Sequence, residues 1–515
     1  MADTVTEDLA TEDLATEYPV VRTKSGELRG AREGGVAVFR GVPYAASPVG
    51  ELRFQPPQPV AAWRGVREAT KDGPIAPQGR SRLAHIMGEF ERPQSEDCLT
   101  LNIWTPAPDA KKRPVLVWIH GGAFASGAGS LAWYSGERFA ADGDLVAVSI
   151  NYRLGALGFL CLPGVSDGNL GLLDQVAALR FVRDNIAAFG GDPDNVTVVG
   201  QSAGAASIAI LMTMPRARGL FRRVILQSTP FGRMSRTLED AHRIGRRLLE
   251  VLGLEPSQAG ELKSVPFARF VTAQGEVARL EKKFADALAP FWPVIDGDVY
   301  PAEVAPALKS GAGADIDTMI GTTREEMAAF YCIDQDIAKA DAAAVEGVFA
   351  SVFKSGHRPY YDEIRRTRAS GGNAALLGDL MSDAMFRIGS LSMAEARADQ
   401  GRPAYVYQFD WQSPAGFESC HCLEIPFVFN NFASWTDSPM LKGAKPDETG
   451  CLAQAMHGAW IAFARSGKPD HPGLPPWPPY RREARMTMRF DSTIGPVSDL
   501  AAWLAPTMAP LSGIL

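Results

Sequence analysis

Ser202 stands in the run VTVVGQSAGA (196–205), two positions from Gly200 and two from Gly204. A serine fenced by glycines directly after an apolar strand can be forced into a strained turn that lifts its oxygen above a sheet. A hydroxyl is a poor nucleophile until a base removes its proton, so the turn matters only if an imidazole and an orienting carboxylate accompany it. On a doubly wound sheet those partners follow in the order serine, acid, histidine. The chemistry of such a set is acyl transfer, with a carbonyl compound held briefly on the serine oxygen.

Five of the seven histidines follow Ser202. His242 lies in a charged helical stretch, His357 in the polar run KSGHRPYY, His457 inside an amphipathic helix and His471 in the loop PDHPG, and each reads as surface or packing. His421 instead follows the strand-like AYVYQFD (404–410) and the loop SPAGFES, where a segment past a strand end reaches the serine turn. The acid belongs just past a strand between the two. DTMIGTT (317–323) runs directly into Arg324-Glu325-Glu326, and pattern does not choose between the two glutamates. Either also reads as a solvated charge at a helix start. HGGAF (120–124) offers backbone N–H groups of Gly122 and Ala123, which with that of Ala203 face a developing oxyanion, each donor typically worth about 3 kcal/mol.

The elements that must hold these residues are legible as apolar runs. PVLVWIH (114–120), LVAVSIN (145–151), VTVVG (196–200), RVILQS (223–228), DTMIGTT and AYVYQFD are separated by turns and helical periods. That alternation predicts an α/β fold with a mostly parallel sheet and helices on both faces. Residues 172–189 and 236–253 have helical apolar spacing, the second ending on a glycine. GELRGAREGGVAVFRGVPYA predicts an antiparallel hairpin leading into the sheet, and PGLPPWPPY (472–480) a rigid surface connector.

The chain of 515 residues is 46% hydrophobic and 22% charged, with a formal charge of −7 and no basic block. This excludes the basic face that nucleic acid or an anionic membrane requires. No apolar run nears the roughly 18 residues of a membrane span, and the first residues lack a secretory signal, so a cytoplasmic protein is expected. The acidic opening, with TEDLA twice, predicts a solvated tail over 1–17 and one domain over 18–515. The six cysteines show no pairing pattern, which suits reduced thiols, and Cys420-His421-Cys422 lacks the further ligands of a zinc site.

Taken together, FGGDPDNVTVVGQSAG (189–204), EDCLTLNIWTP (96–106), HGGAF, NYRLGALGFL (151–160), PVIDGD (293–298) and HCLEIPFVF (421–429) resemble the type-B carboxylesterases, the family of the cholinesterases and bacterial para-nitrobenzyl esterase. The likeness covers about residues 20–510. It implies an α/β-hydrolase fold with a deep gorge, no cofactor or metal, and a triad of Ser202, Glu326 and His421, since the family's acid is the second of the acidic pair. The oxyanion hole maps to Gly122, Ala123 and Ala203. Arg53 with Glu96 and Arg153 with Asp174 match structural ion pairs. Cys98 is expected free, because Ala76 stands where relatives carry its partner. Gln201 replaces the glutamate that cholinesterases place before the nucleophile, and no tryptophan lies between 64 and 103, which argues against choline esters. Phe124, Phe231, Phe291 and Trp292 fall beside family pocket positions and with Gln201 are the expected substrate contacts, while Ser228 is expected to support the triad.

The resulting expectation is a monomeric or homodimeric serine hydrolase acting on hydrophobic or aryl carboxylic esters. An amide or aryl-carbamate hydrolase with the same triad is the alternative, and a non-catalytic binding member of the superfamily a remote one.

Overall fold

The computed structural model describes residues 18–286, 289–353, 357–367 and 372–504, so the predicted acidic tail at 1–17 lies outside the described residues. Its centre is an eleven-stranded sheet. In chain order the strands are β1 (Ala31–Glu33), β2 (Val36–Pro43), β3 (Thr100–Thr105), β4 (Arg113–Ile119), β5 (Val146–Ile150), β6 (Gly191–Gln201), β7 (Arg223–Gln227), β8 (Asp317–Thr323), β9 (Tyr405–Phe409), β10 (Met486–Phe490) and β11 (Gly495–Ser498). Across the sheet they run β11-β10-β9-β8-β7-β6-β4-β5-β3-β2-β1. From β10 to β5 every neighbour is parallel; antiparallel pairs occur only at the two margins.

The six predicted strand runs are β4 to β9. Their unbroken hydrophobicity follows from burial on both faces. Val115, Val117 and Ile119 of β4 join one core cluster while Leu116 and Trp118 join the other, as the twofold period of a strand requires. The first face is covered by α1 (Leu170–Asn185) and α2 (Ala203–Leu211). α3 (Leu238–Leu252) and α4 (Phe267–Leu280) pack beyond them in the same cluster, and α3 stops at Gly253 in the left-handed region, φ 73°. The second face is covered by α5 (Pro446–Ser466), whose Trp460 and Phe463 are fully buried. Every residue of α2 is buried, which is why its sequence shows no polar stripe.

The predicted hairpin is the β1–β2 pair, but Glu27–Arg29 belongs instead to a separate small sheet with Val20–Arg22 and Val66–Glu68. The proline-rich connector is less superficial than expected, because Trp477 and Tyr480 anchor it in the core. Among the described residues no helix is long and apolar enough to cross a membrane.

Candidate active site

The strand β6 ends at Gln201 and α2 begins at Ala203, leaving Ser202 alone in the corner with φ 56° and ψ −121°. A side chain pays strain to sit there, and the surroundings hold it: Ser202 N donates to Gln227 O at 2.9 Å and Ala206 N donates to Ser202 O at 2.8 Å. The flanking glycines are steric necessities. A Cβ on Gly204 would lie 2.0 Å from Ile119 O, and one on Gly200 would lie 2.7 Å from the Gly204 carbonyl carbon. Helix and strands therefore meet backbone to backbone, which presents the Ser202 side chain at the C-terminal end of a central strand.

Ile119 ends β4, and the chain turns at once through His120 to Phe124. Burial pushes the His120 imidazole down to about 4, so it stays neutral; its ring stacks on Tyr152 with centroids 4.4 Å apart. Gly122 has φ 112° and would clash with Ser126 O at 2.0 Å if it carried a Cβ, and Ala123 is also left-handed at φ 55°. This winding turns N–H groups away from the chain. Among the described residues, the N–H groups of Gly122, Ala123 and Ala203 have no hydrogen-bond acceptor in the protein.

Loops after β8 and β9 bring the other two side chains. They clasp each other through a bridge between Glu325 and Cys420, with Glu325 N donating to Ser419 O at 3.0 Å. The two glutamates then part. Glu325 accepts from Ser419 N at 3.1 Å and pairs with Arg324, so it ties the loops together. Glu326, fully buried, accepts from Thr323 N at 2.8 Å and lies 2.5 Å from His421 Nδ1. That contact fixes the ring and leaves Nε2 as the working nitrogen.

Nε2 of His421 receives the side-chain amide of Gln201 at 3.1 Å, and among the described residues the Ser202 hydroxyl has no hydrogen bond to it. Ser202, Gln201 and His421 nevertheless line one cavity of about 540 Å³, together with Gly121, Gly122 and Ala123.

Of the expected substrate contacts, Gln201 and Phe291 line this cavity. Phe124, Trp292 and Phe231 are not among the residues that line it. Phe124 is completely buried between Phe159 and Trp292, each 4.8 Å away by ring centroid, and the Trp292 indole donates to Met234 O. Phe231 packs over Gly389. Aromatic composition is the same for wall and core, so sequence had no means to separate them. Ser228 is buried with φ 52°, and its hydroxyl finds no hydrogen-bond partner among the described residues.

Sequence reasoning passed over four neighbours. Phe330 and Phe386 flank the His421 ring at 5.4 and 5.1 Å. Buried Arg387 pairs with Asp383 and donates to Arg324 O at 2.5 Å, bracing the acid's loop. Glu424, three residues beyond His421 in HCLE and just before the short helix Ile425–Phe429, is fully buried and accepts from Gln227 Nε2 at 3.1 Å. Burial and the charge of Glu326 push it up to about 7, partly offset by His421. The motif was visible, but no spacing rule marks its glutamate. Two of the other histidines bond backbone carbonyls: His457 meets Val428 O at 2.8 Å and His471 meets Ala455 O at 2.9 Å.

The model of the carboxylesterase family matches residues 17–499. This chain belongs to the carboxylesterase family. The carboxylesterase is 42% identical over 474 residues to phenmedipham hydrolase of Pseudarthrobacter oxydans, covering 90% of this chain and 93% of that one. It is 38% identical over 484 residues to para-nitrobenzyl esterase of Bacillus subtilis, covering 93% and 96%. Among solved structures, a Geobacillus stearothermophilus carboxylesterase superposes with a TM-score of 0.86 at 40% identity, covering 95% of this chain and 99% of that one. The carboxylesterase thus has the α/β-hydrolase fold expected of it. The ion pairs implied by the resemblance are present, Arg53 Nε donating to Glu96 at 2.7 Å and Arg153 donating to Asp174 at 2.7 and 2.8 Å. All six cysteines are free, Cys98 among them. Among the described residues no three His, Cys, Asp or Glu side chains are grouped to hold a metal ion.

Proposed function

We propose that this carboxylesterase hydrolyses small aryl or hydrophobic esters through an acyl-enzyme on Ser202. One observation carries the reading: a buried Glu326–His421 hydrogen bond and a serine in a left-handed corner open onto the same cavity as three N–H groups with no acceptor of their own. His421 Nε2 takes the hydroxyl proton as Ser202 attacks the carbonyl carbon. The tetrahedral oxyanion is held by Gly122, Ala123 and Ala203. Glu326 keeps the proton of Nδ1 in place and stabilises the imidazolium that forms. His421 then gives its proton to the leaving oxygen, and water breaks the acyl-enzyme by the same base in reverse. The Gln201 amide occupies Nε2 in the resting site, so a small rotation that exchanges Gln201 for Ser202 precedes the first step.

Ser202→Ala should lower kcat for an aryl ester by several orders of magnitude and abolish labelling by an organophosphonate. Near-normal turnover in that variant would refute the mechanism. A second reading has one supporting observation, the relative named for hydrolysing phenmedipham, a carbamate. The same groups serve a carbamate, whose nitrogen leaving group leans harder on proton donation from His421. Matched aryl ester, anilide and carbamate substrates, compared by kcat/KM, separate the two.

A further inference from the structure

From Gly372 to Asp399 the chain is one continuous helix interrupted by a wide turn over Asp383–Arg387, where Ile388 N donates to Asp383 O, five residues back. A turn of this width takes in an extra residue, is uncommon inside helices, and persists where its surroundings hold it. Here the surroundings are the segments that carry Glu326 and His421.

Polar contacts run from the turn to both. Toward the acid, Ser382 Oγ accepts from Met327 N at 3.0 Å, while Arg387 Nη2 donates to Arg324 O at 2.5 Å and to Thr323 O at 3.4 Å. The backbone on either side of Glu326 is thereby tied to one helix. Toward the base, Arg387 Nε donates at 3.1 Å to the side chain of Gln408 in β9, the strand that leads to His421. Asp383 secures the turn itself, pairing with Arg387 and accepting from the Tyr360 hydroxyl at 2.5 Å.

Between these anchors lies an apolar contact with the imidazole. Met385 and Phe386 form a small buried cluster with Met327, and Phe330 packs against it. The Phe386 ring centroid is 5.1 Å from that of His421, with the planes at 45°. Phe330 stands 5.4 Å from the same ring, but it also lines the cavity, whereas Phe386 does not. An effect of Phe386 on turnover therefore passes through the imidazole and not through bound substrate.

The imidazole needs such a restraint. Its tether is the Glu326 contact at Nδ1, and at Nε2 it must exchange the Gln201 amide for the Ser202 hydroxyl. A ring free to swing widely would spend most of its time out of reach of the serine, and about 1 Å of misplacement costs on the order of 10²-fold in rate.

We propose that the wide turn Asp383–Arg387 is the positioning element of the candidate triad, with Phe386 as a positioning residue that confines the His421 ring to the arc serving Ser202. Ser382 and Arg387 hold the Glu326 loop to the same helix. The inference rests on the serine-hydrolase reading of Ser202 and His421. Since one segment sets both partners of the Glu326–His421 hydrogen bond, its contribution falls on the chemical step rather than on binding.

The test measures kcat and KM for phenyl butyrate in wild type, F386A, F386L, S382A and L377A, normalised to folded protein by circular dichroism, and records the low-field proton resonance of His421 Nδ1–H. Leu377 is buried on the same helix in a cluster that includes neither Phe386 nor Phe330, so L377A loosens the helix away from the imidazole. In F386A kcat should fall about 10- to 100-fold with KM within about twofold of wild type, and the resonance should broaden or move upfield. F386L, which keeps most of the bulk, and S382A should lose less, and L377A should keep the wild-type kcat and resonance. Where F386A does not fold, F386L decides by the same KM-against-kcat split. A kcat within about twofold of wild type, a loss no greater than that of L377A, or a loss appearing only as a higher KM overturns the positioning role and leaves the hydrolase standing. A wild type that does not hydrolyse phenyl butyrate overturns both.

Discussion

The resting arrangement at His421 gives each of its ring nitrogens a partner: Glu326 at Nδ1 and the Gln201 amide at Nε2. The amide is neutral, so it orders the ring without adding charge beside it. Glu424 is the charged neighbour to watch. Its folded carboxyl, pushed up to about 7 by burial and by Glu326, keeps its proton where the unfolded one, near 4.5, has lost it. Unfolding then releases a proton between those values, so stability falls as pH rises from 4.5 to about 7 and the full penalty stands above that window. Glu424→Gln keeps an oxygen for Gln227 and removes the titration. The variant should be more stable than wild type by up to about 3 kcal/mol above the window and no different below it. Thermal unfolding across pH measures this, and parallel curves for the two proteins would refute the assignment.

At the scale of elements, the turn from Gly121 to Phe124 does the positioning. Gly121 presses against the serine corner, where an added Cβ would lie 2.7 Å from Gln201 O, and Gly122 holds a winding that a side chain would block. Gly122→Ala must shift the turn and its donors. We expect kcat for aryl esters to fall about 10²- to 10³-fold with KM little changed, the cost of losing one oxyanion donor. Unaltered kcat would mean that the turn does not donate. How much of this was legible varied with cause. The strands β4 to β9 could be read because double burial writes continuous apolar runs. β3, as TLNIWT, and β10, as MTMRF, interrupt their apolar residues with polar ones and escaped notice, although both are strands. Order along the chain and family likeness point to Ser202, Glu326 and His421; Ser202 and His421 line one cavity, and Glu326 is buried behind the imidazole, hydrogen-bonded to it. Between the two glutamates only the loop clasp, which turns Glu325 away, shows a physical reason. The Gln201–His421 contact depends on side-chain rotation and has no trace in sequence; neither does the distinction between Phe291, which lines the cavity, and Phe124, which does not.

For the whole molecule, the buried ion pairs Arg53–Glu96 and Arg153–Asp174 fasten segments distant in sequence, and Arg153 also donates to Gln55 O at 2.8 Å. With all six cysteines free, no covalent crosslink assists them. Packing, hydrogen bonds and these ion pairs assemble the fold without one. The parallel centre of the sheet means that each strand pairs with one reached only after a long crossover, a topology that folds slowly. The contact between Gln201 and His421 spans 220 positions and that between His421 and Glu326 spans 95. Catalytic competence is consequently a late property of the chain. After dilution from denaturant, ester turnover should return more slowly than helical circular dichroism, and a nick anywhere between β6 and β9 that lets the pieces separate should silence the enzyme while leaving secondary structure behind, so that turnover itself reports the last stage of assembly.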